Sequence, residues 1–297
     1  MTGSGAPVWV GTCGWNKPAW RGTFYNSTVT QRGQLKYASK YLKSLEINST
    51  FHGLKSPKDF LSWREQTPDG FVFSVKGHKK VTHEQALRNP EKNVATFFAT
   101  GVPLLGEKLG PVLWQISEHH AFDPVIVDRF LGALPHSVAE AQALIRHHLT
   151  DDAIDPRVLA VPDRRIRHAF EVRHASFDDS RFVELLRRHD VAAVITNSPE
   201  WPEIRELTRD FVYLRFHGDV QRNPDGYDDA TLAEWAEQIN GWRTGRSAPD
   251  EQPREVFVYF DNPEGGGASS PFTARRLQQL VDGEDALEPM PVQPPLF

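Results

Sequence analysis

The sequence predicts an α/β fold, a single (β/α)8 TIM barrel with parallel strands. Eight runs of strand length occur along the 297 residues, and helical patterns alternate with them. A doubly wound open sheet could alternate in the same way. It would more usually carry a GxGxxG nucleotide-binding motif after its first strand, and this sequence has none there. Because chains of this length often form one barrel, we expect a single domain over residues 1–297, with an extended proline-rich tail at 285–297.

The first four strands are predicted from apolar runs bounded by turn residues. The run VWVGTCGW lies between prolines and ends in a glycine-rich turn, and SLEINSTF alternates apolar and polar side chains. FVFSVKGHK alternates in the same way, and PVLWQIS has Gln115 as its only strongly polar interior residue. These predicted strands are residues 8–15, 44–51, 71–79 and 111–117.

The last four strands return at short intervals as HAFEVRH, VAAVITNS, FVYLRFHG and EVFVYFDN. They are residues 168–174, 191–198, 211–218 and 255–262. Helical patterns with one apolar face are predicted between strands. They lie at 34–43, 57–66, 124–135, 137–149, 178–190, 199–208, 229–245 and 272–281, with a partly helical stretch up to residue 110. The charged segment 150–167 is predicted to be a surface connection.

The composition is that of a globular protein, with 39% hydrophobic and 25% charged residues. A net charge of −5 argues against a generally basic surface for nucleic acid. The single cysteine, Cys13, excludes an internal disulfide and fits a reducing compartment. No run approaches the roughly 20 apolar residues of a membrane span. The start has no basic region followed by an apolar one, so we expect no secretory signal, no membrane contact and a cytoplasmic location.

Polar side chains share one face of the predicted strands, near the ends where barrel enzymes carry their sites. If the apolar phase of each strand packs on the helices, the alternate phase fills the barrel interior. In the sixth strand the phase is ambiguous, so either Thr196 or Asn197 belongs to this set. The other predicted interior residues are Glu46, Asn48, Ser74, Lys76, His78, Gln115, Glu171, Arg173, Tyr213, Arg215, His217, Tyr259 and Asp261.

These charges have a structural interpretation and a functional one. Glu46 with Lys76, and Glu171 with Arg215, could be buried ion pairs, although such pairs are poor stabilising devices because desolvation costs so much. Ionisable groups converging in a pocket more often mark a functional site, which we favour.

A glycine-rich loop, DNPEGGGASSPF, follows the eighth strand and leads into the last helix. Glycines let the backbone approach a ligand closely, and barrel enzymes often hold phosphate in this region. Asn262, Gly265 and Gly266 are therefore candidate ligand contacts, with a plain surface loop as the alternative.

Seven ordered motifs resemble the YecE-like family, the domain of unknown function numbered 72. They are GTCGW, LEINSTF, FSVKGHKKVTH, LGPVLWQI, AFEVRH, YLRFHG and VYFDN, and the match runs over about residues 11–280. The resemblance implies a TIM barrel and supplies no activity. This chain has Cys13 where the family usually has serine, WQISE where it has FQLPP, and Asp261 in place of the first residue of an asparagine pair.

The favoured hypothesis is an enzyme acting on a small anionic ligand that bears phosphate or carboxylate. Lys76, Arg173 and Arg215 would hold the anion, with Glu46 or Glu171 as general base and His78 or His217 as acid. A Schiff base at Lys76 is conceivable. The remaining predicted ligand contacts are Asn48, Gln115, Asn197, Tyr259, Asp261 and the loop residues named above.

Two alternatives remain open. A metal-assisted phosphodiester hydrolase or nucleic-acid-binding barrel could use the carboxylates and histidines as ligands, but three cations would repel a metal and the acidic chain argues against broad DNA contact. A non-catalytic ligand-binding protein is the other. The sequence identifies neither the cofactor, if any, nor the oligomeric state. If Glu46 is a base in an open mouth, Glu46→Gln should leave the melting temperature within a few degrees.

Overall fold

Eight parallel strands close into a barrel in which each strand pairs with its neighbours in chain order. The structure is a computed structural model and describes residues 5–218, 227–261 and 269–283. The strands are β1 Val8–Cys13, β2 Ser44–Ile47, β3 Val72–Lys76, β4 Leu109–Gln115, β5 His168–Glu171, β6 Val191–Asn197, β7 Phe211–Phe216 and β8 Glu255–Phe260. The pairing of β1 with both β2 and β8 closes the barrel, which confirms the predicted fold class.

Helices cover the outside of the barrel. They are α1 Gln34–Ala38, α2 Ser49–His52, α3 Pro57–Gln66, α4 Pro90–Ala99, α5 Pro124–Gly132, α6 Val138–His148, α7 Pro156–Leu159, α8 Ser180–Arg188, α9 Asp229–Arg243 and α10 Ser270–Asp282. A π-helical turn at Lys80–Glu84 and a 3-10 segment at Val102–Lys108 complete the long connection between β3 and β4. No helix among these described ranges has the length and apolar content needed to cross a membrane.

Side-chain caps fix where several helices begin. Ser56 and Asp59 form a capping box at α3, with a proline at the first helical position. The side chains of Asp123 and Asp228 accept backbone N–H bonds at the starts of α5 and α9.

Apolar side chains form two layers, one between the strands and the helices and one inside the barrel. The outer layer matches the period-two prediction, whereas the inner apolar layer differs from it, because the sequence pattern predicts an interior filled by the polar phase. The outward-facing Trp114 of β4, for example, packs against Phe130 of α5. Inward residues such as Leu113, Phe257 and Tyr213 form a separate cluster inside the barrel. The polar set of each strand therefore occupies the interior, above this inner cluster.

The observed elements differ from the predicted ones in several respects. The segment 150–167, predicted to be a surface connection, contains α7, and Val158 on that helix is completely buried. The predicted strands run too far, because their last residues already belong to the loops that carry the site; residues 49–52 are helical. Residues 199–208 contain no helix. Pro202 disfavours the helical conformation in the residue before it, and Thr208 instead bonds the backbone of Ala193 and Val191 on β6.

Candidate active site

Arg215, on β7, is the centre of a buried charge cluster. Its side chain has no exposed surface. Its Nη1 donates to Glu171 Oε2 at 2.7 Å, and its Nη2 donates to Glu46 Oε1 at 3.1 Å and to Asp261 Oδ2 at 3.0 Å. Carboxylates from β2, β5 and the end of β8 thus converge on one guanidinium, which holds the three strands' ends in a fixed arrangement.

Hydroxyl groups support this cluster from below. Tyr213 donates to Glu46 Oε2 at 2.7 Å, and its hydroxyl lies 2.6 Å from that of Ser74. Tyr259 and Ser44 form a second hydroxyl pair at 2.7 Å. Both oxygens of Glu46 are therefore hydrogen-bonded, and the residue is completely buried.

Glu171 and His217 form an acid–base pair beside Asp261. His217 Nε2 lies 3.2 Å from Glu171 Oε1, and its Nδ1 lies 3.6 Å from Asp261 Oδ2. Gln115 donates to the second oxygen of Glu171 at 2.6 Å. Burial alone would raise the pKa of Glu171, but the charge of Arg215 and the His217 hydrogen bond hold it well below its usual range. Glu171 is therefore ionised and orients the imidazole.

Lys76 ends β3, and its ammonium has no ionic partner among the residues that the structure describes. Its Nζ stands 4.3 Å from the centre of the Phe51 ring, and it makes no hydrogen bond or ion pair within the described ranges. Thr50 donates to the Lys76 and Ile47 carbonyls, which ties α2 to β3 and positions Phe51. Burial, and then the charge of Arg215, lowers the pKa of Lys76 to about 8.

The backbone after Lys76 turns under a tryptophan. A Cβ at Gly77 would lie 2.3 Å from the Trp114 ring, so only glycine fits there. The motif VKG thus combines a mouth lysine with the close approach that lets the chain leave the barrel.

Arg173 follows β5 and stacks on an aromatic ring. Its guanidinium carbon lies 3.8 Å from the centre of the Trp201 ring, and the same ring meets His217 edge-on at 4.8 Å. Arg173 Nε is 3.8 Å from Glu171 Oε1 and is buried without a hydrogen bond in the part of the chain that the structure describes. Trp201 was not among the predicted site residues, because it lies in the segment that was predicted to be helical.

His83 is a second site residue that the sequence reasoning missed. It lies on the π-helical turn, with Nδ1 2.9 Å from the Thr82 hydroxyl and its ring edge-on to Phe51 at 4.8 Å. Burial lowers its pKa to about 4, followed by the charges of Lys76 and Arg173. His83 and Lys76 Nζ therefore contact the same Phe51 ring. The only sequence signal is its position as the last residue of the motif FSVKGHKKVTH.

Cys13 also belongs to the interior cluster. Its thiol accepts a hydrogen bond from Arg215 Nη2 at 3.3 Å, and the side chain is 1% exposed. Burial raises its pKa well above the ordinary value, so the thiol stays protonated and packs beneath the carboxylates.

Two roles and one ion pair expected from the sequence do not match the observed placement. Arg215 cannot hold a ligand, because its side chain is completely buried and is bound by three carboxylates. Glu46 cannot act as a general base, because it is sealed and both its oxygens are occupied. Glu46 also pairs with Arg215 rather than with Lys76, whereas the expected pair of Glu171 with Arg215 is present.

Several other predicted residues lie outside the cluster. Tyr259 is completely buried, one layer below the carboxylates. In β6 it is Thr196 that pairs with Arg215 and faces inward, while Asn197 binds the Tyr227 hydroxyl at 2.6 Å. His78 accepts from the Lys80 backbone and lines a separate cavity of about 270 Å³ beside α4.

The remaining predicted ligand contacts lie in different places relative to the cluster. Asn48 precedes α2, and its Oδ1 is buried without a hydrogen bond among the described residues. Gln115, Arg173, His217 and Asp261 all reach the cluster. Asn262, Gly265 and Gly266 lie outside the described residues. Within those residues no group of three or more His, Cys, Asp or Glu side chains could hold a metal ion.

The closed barrel and the ionisable groups at the C-terminal ends of its strands define a (β/α)8-barrel protein with a candidate active site at the usual end of this fold. A family model described as "Protein of unknown function DUF72" matches residues 9–295, so this chain belongs to that family. The family resemblance seen in the motifs is thereby confirmed.

Relatives of known sequence and structure agree. The UPF0759 protein YunF of Bacillus subtilis is 22% identical over 307 residues, covering 93% of this chain and 95% of that protein. The UPF0759 protein YecE of Escherichia coli is 28% identical over 109 residues, 37% of each chain. A DUF72 family crystal structure from Thermotoga maritima has a TM-score of 0.68 at 22% identity, covering 93% of this chain and 99% of that one. One from Enterococcus faecalis has a TM-score of 0.61 at 18% identity, covering 93% and 98%. These likenesses carry the fold alone.

Proposed function

We propose that this protein is an enzyme that binds a small anion, a phosphate- or carboxylate-bearing molecule, at the barrel mouth. The observation that carries the proposal is the state of Lys76 and Arg173. Neither charged group makes a hydrogen bond within the described ranges, although both are largely buried. Buried cations without such partners are costly, and an anionic ligand would supply the missing charge-assisted hydrogen bonds.

Lys76 and Arg173 face the same part of the barrel mouth and would bind the same ligand. Lys76 Nζ stands over the Phe51 ring, which meets His83 edge-on. Arg173 stacks on Trp201 and approaches Glu171, and the charges of both cations lower the pKa of His83. Arg215 takes no direct part, because its three carboxylates occupy it. Its role is to neutralise and position them, so that their charge does not repel the anion.

Acid–base chemistry falls to His217. Glu171 holds one ring nitrogen, which fixes the orientation of the imidazole. His217 Nδ1, beside the partly exposed Asp261, is the atom left to exchange a proton with the ligand. Lys76 and Arg173 bind and orient the ligand, and the Trp201 ring contacts both Arg173 and His217.

The observed contacts do not fit a metal-assisted hydrolase. It would need Glu46 and Glu171 as ligands, and Arg215 already engages both carboxylates. Displacing them would leave a buried guanidinium without its ionic partners, which is strongly unfavourable.

The test is a titration of phosphate, sulfate and citrate against the melting temperature. Binding to the folded state raises stability as RT ln(1 + [L]/Kd). We expect the parent to respond at millimolar anion, and Lys76→Met and Arg173→Met to lose most of the response. Arg246→Met, which removes an exposed ion pair with Glu237, is the matched control and should respond as the parent does. An absent response, or an equal one in all four proteins, would refute the anion site.

A separate experiment tests His217 as the general acid–base group. Carboxylated and phosphorylated small molecules that raise the melting temperature are assayed for turnover with the parent and with His217→Gln. We expect the variant to bind the same compounds and to lose at least about 100-fold in kcat, the usual weight of a general acid–base group. Unchanged turnover in the variant would remove His217 from the mechanism.

A further inference from the structure

We propose that Lys76 is an amine nucleophile that forms an imine with the carbonyl carbon of its ligand. The substrate class would then be an anionic aldehyde or ketone, such as a 2-oxo acid or an open-chain sugar phosphate. The inference rests on the proposed function, because Arg173 must hold the anionic part of that molecule while the neutral form of Lys76 attacks its carbonyl carbon.

The surroundings of Lys76 distinguish it from a structural lysine. The chain contains a second buried lysine, Lys108, which is 5% exposed and donates to the carbonyls of Arg64 and Thr67 at 2.7 and 2.6 Å. Lys76 is 8% exposed and donates to no described residue. The Lys108 ammonium is thus hydrogen-bonded within the fold, whereas the Lys76 ammonium lies beside the Phe51 ring without a described hydrogen-bond acceptor.

The position of Lys76 is fixed on both sides. It ends β3, and its backbone carbonyl accepts the Thr50 hydroxyl at 2.7 Å. The same threonine sets Phe51 under the Nζ atom at 4.3 Å. An amine on a rigid strand, above an apolar ring, loses little freedom when it bonds covalently to a ligand.

An unprotonated amine is required for attack, and the site favours one. Burial and the positive charge of Arg215 disfavour the ammonium, and the pKa of about 8 leaves a substantial neutral fraction near neutral pH. At pH 7.5 that fraction is on the order of 100-fold larger than for a lysine of ordinary pKa.

The reaction balances without an added oxidant or reductant. The Nζ lone pair forms the N–C bond, and the carbonyl π electrons move to oxygen, giving a carbinolamine. The nitrogen then forms the C=N bond while the C–O bond breaks, and both amine protons leave on that oxygen as water. The proton transfers belong to the His217 and Glu171 pair of the proposed function.

Reductive trapping tests the inference. Pyridoxal 5′-phosphate carries an aldehyde and a phosphate on one small molecule. It is added to the full chain at pH 7.5 with sodium cyanoborohydride, and labelled peptides are quantified by mass spectrometry. We expect Lys76 to be labelled at least about tenfold faster than the more accessible Lys79, and inorganic phosphate to slow the labelling at Lys76 only. Pyruvate should give the same site preference.

Variants complete the design. Lys76→Arg should lose the fast label, and Lys79→Arg should keep it. The rate comparison within the parent protein needs neither variant to fold. Labelling of Lys76 no faster than Lys79 would overturn the inference. If phosphate still raises the melting temperature, the anion site stands without the imine; fast labelling without a phosphate response would contradict the anion site alone.

Discussion

Arg215 donates to the Glu171 carboxylate across 2.7 Å inside the barrel, and neither side chain has any exposed surface. Glu46 and Asp261 complete the set of carboxylates on the same guanidinium. The candidate site is therefore built on a fixed ionic core, and the groups free to act lie around it rather than within it.

Arg215→Met should destabilise the protein strongly. The change leaves three carboxylates without their cation, and breaking a buried pair typically costs about 3–5 kcal/mol. Urea unfolding at pH 7 measures the loss, with Arg246→Met as the exposed control, for which we expect within about 0.5 kcal/mol of the parent. Equal stability of the two variants would show that Arg215 does not stabilise the carboxylate cluster.

Glu46→Gln is now expected to be destabilising, in contrast to the expectation for a base in an open mouth. The amide cannot accept from Arg215 and from Tyr213 through both of its polar atoms, so one buried partner is left unsatisfied at about 1–3 kcal/mol. Denaturant unfolding measures this loss. Glu237→Gln, on an exposed ion pair, is the control. A Glu46→Gln protein as stable as the parent would restore the open-mouth interpretation.

Lys76→Met should stabilise the protein at neutral pH. Because the folded-state pKa of Lys76 is lowered from 10.5 to about 8, the unfolded chain binds more protons between these values. The parent is therefore penalised below pH 8, and the penalty is relieved as pH rises towards 10.5. We expect a gain on the order of 1–3 kcal/mol at pH 7 that shrinks by pH 10.

Unfolding of parent and variant at both pH values checks this expectation. Lys79→Met, at a half-exposed lysine, should change little at either pH. A Lys76→Met protein that is less stable than the parent at pH 7 would mean that Lys76 is satisfied in the fold.

His168 should contribute to acid instability. Its Nδ1 accepts from Trp114 at 3.1 Å, and its Nε2 lies 2.7 Å from the Pro135 carbonyl. Burial lowers its pKa from 6.5 to about 3, so the unfolded chain takes up the proton first and stability is lost as pH falls below 6.5. The loss from this group alone is about 2 kcal/mol by pH 5.

The stability difference between pH 7.5 and pH 5 should accordingly be smaller in His168→Gln than in the parent. His147→Gln, on the exposed face of α6, controls for the loss of one histidine. Identical pH dependence in the parent and His168→Gln would mean that His168 is protonated inside the fold.

The fold was predictable because apolar and polar side chains alternate along each strand. This alternation assigns side chains to the two faces of a strand without any knowledge of the tertiary structure. That alternation also brought Glu171, Gln115 and Asp261 to one end correctly. The choice between Thr196 and Asn197 depended on the register of β6 against β7, which single-strand patterns do not contain.

Other parts of the site depend on contacts between distant segments. Arg215 could have paired with any of several carboxylates, and strand stagger decided that it pairs with three. His83 lies on an irregular π-helical turn, and Trp201 lies in a segment where prolines override the helical pattern. Neither position has a periodic signal.

The most direct test of the central claim is a crystal of this chain grown with selenate, measured for anomalous scattering from selenium. We predict a peak at the barrel mouth, with selenate oxygens within about 3 Å of Lys76 Nζ and of the Arg173 guanidinium. The peak should disappear in Lys76→Met and persist in Arg246→Met. Selenate bound only at other surfaces, or a mouth peak that contacts neither Lys76 nor Arg173, would contradict the account.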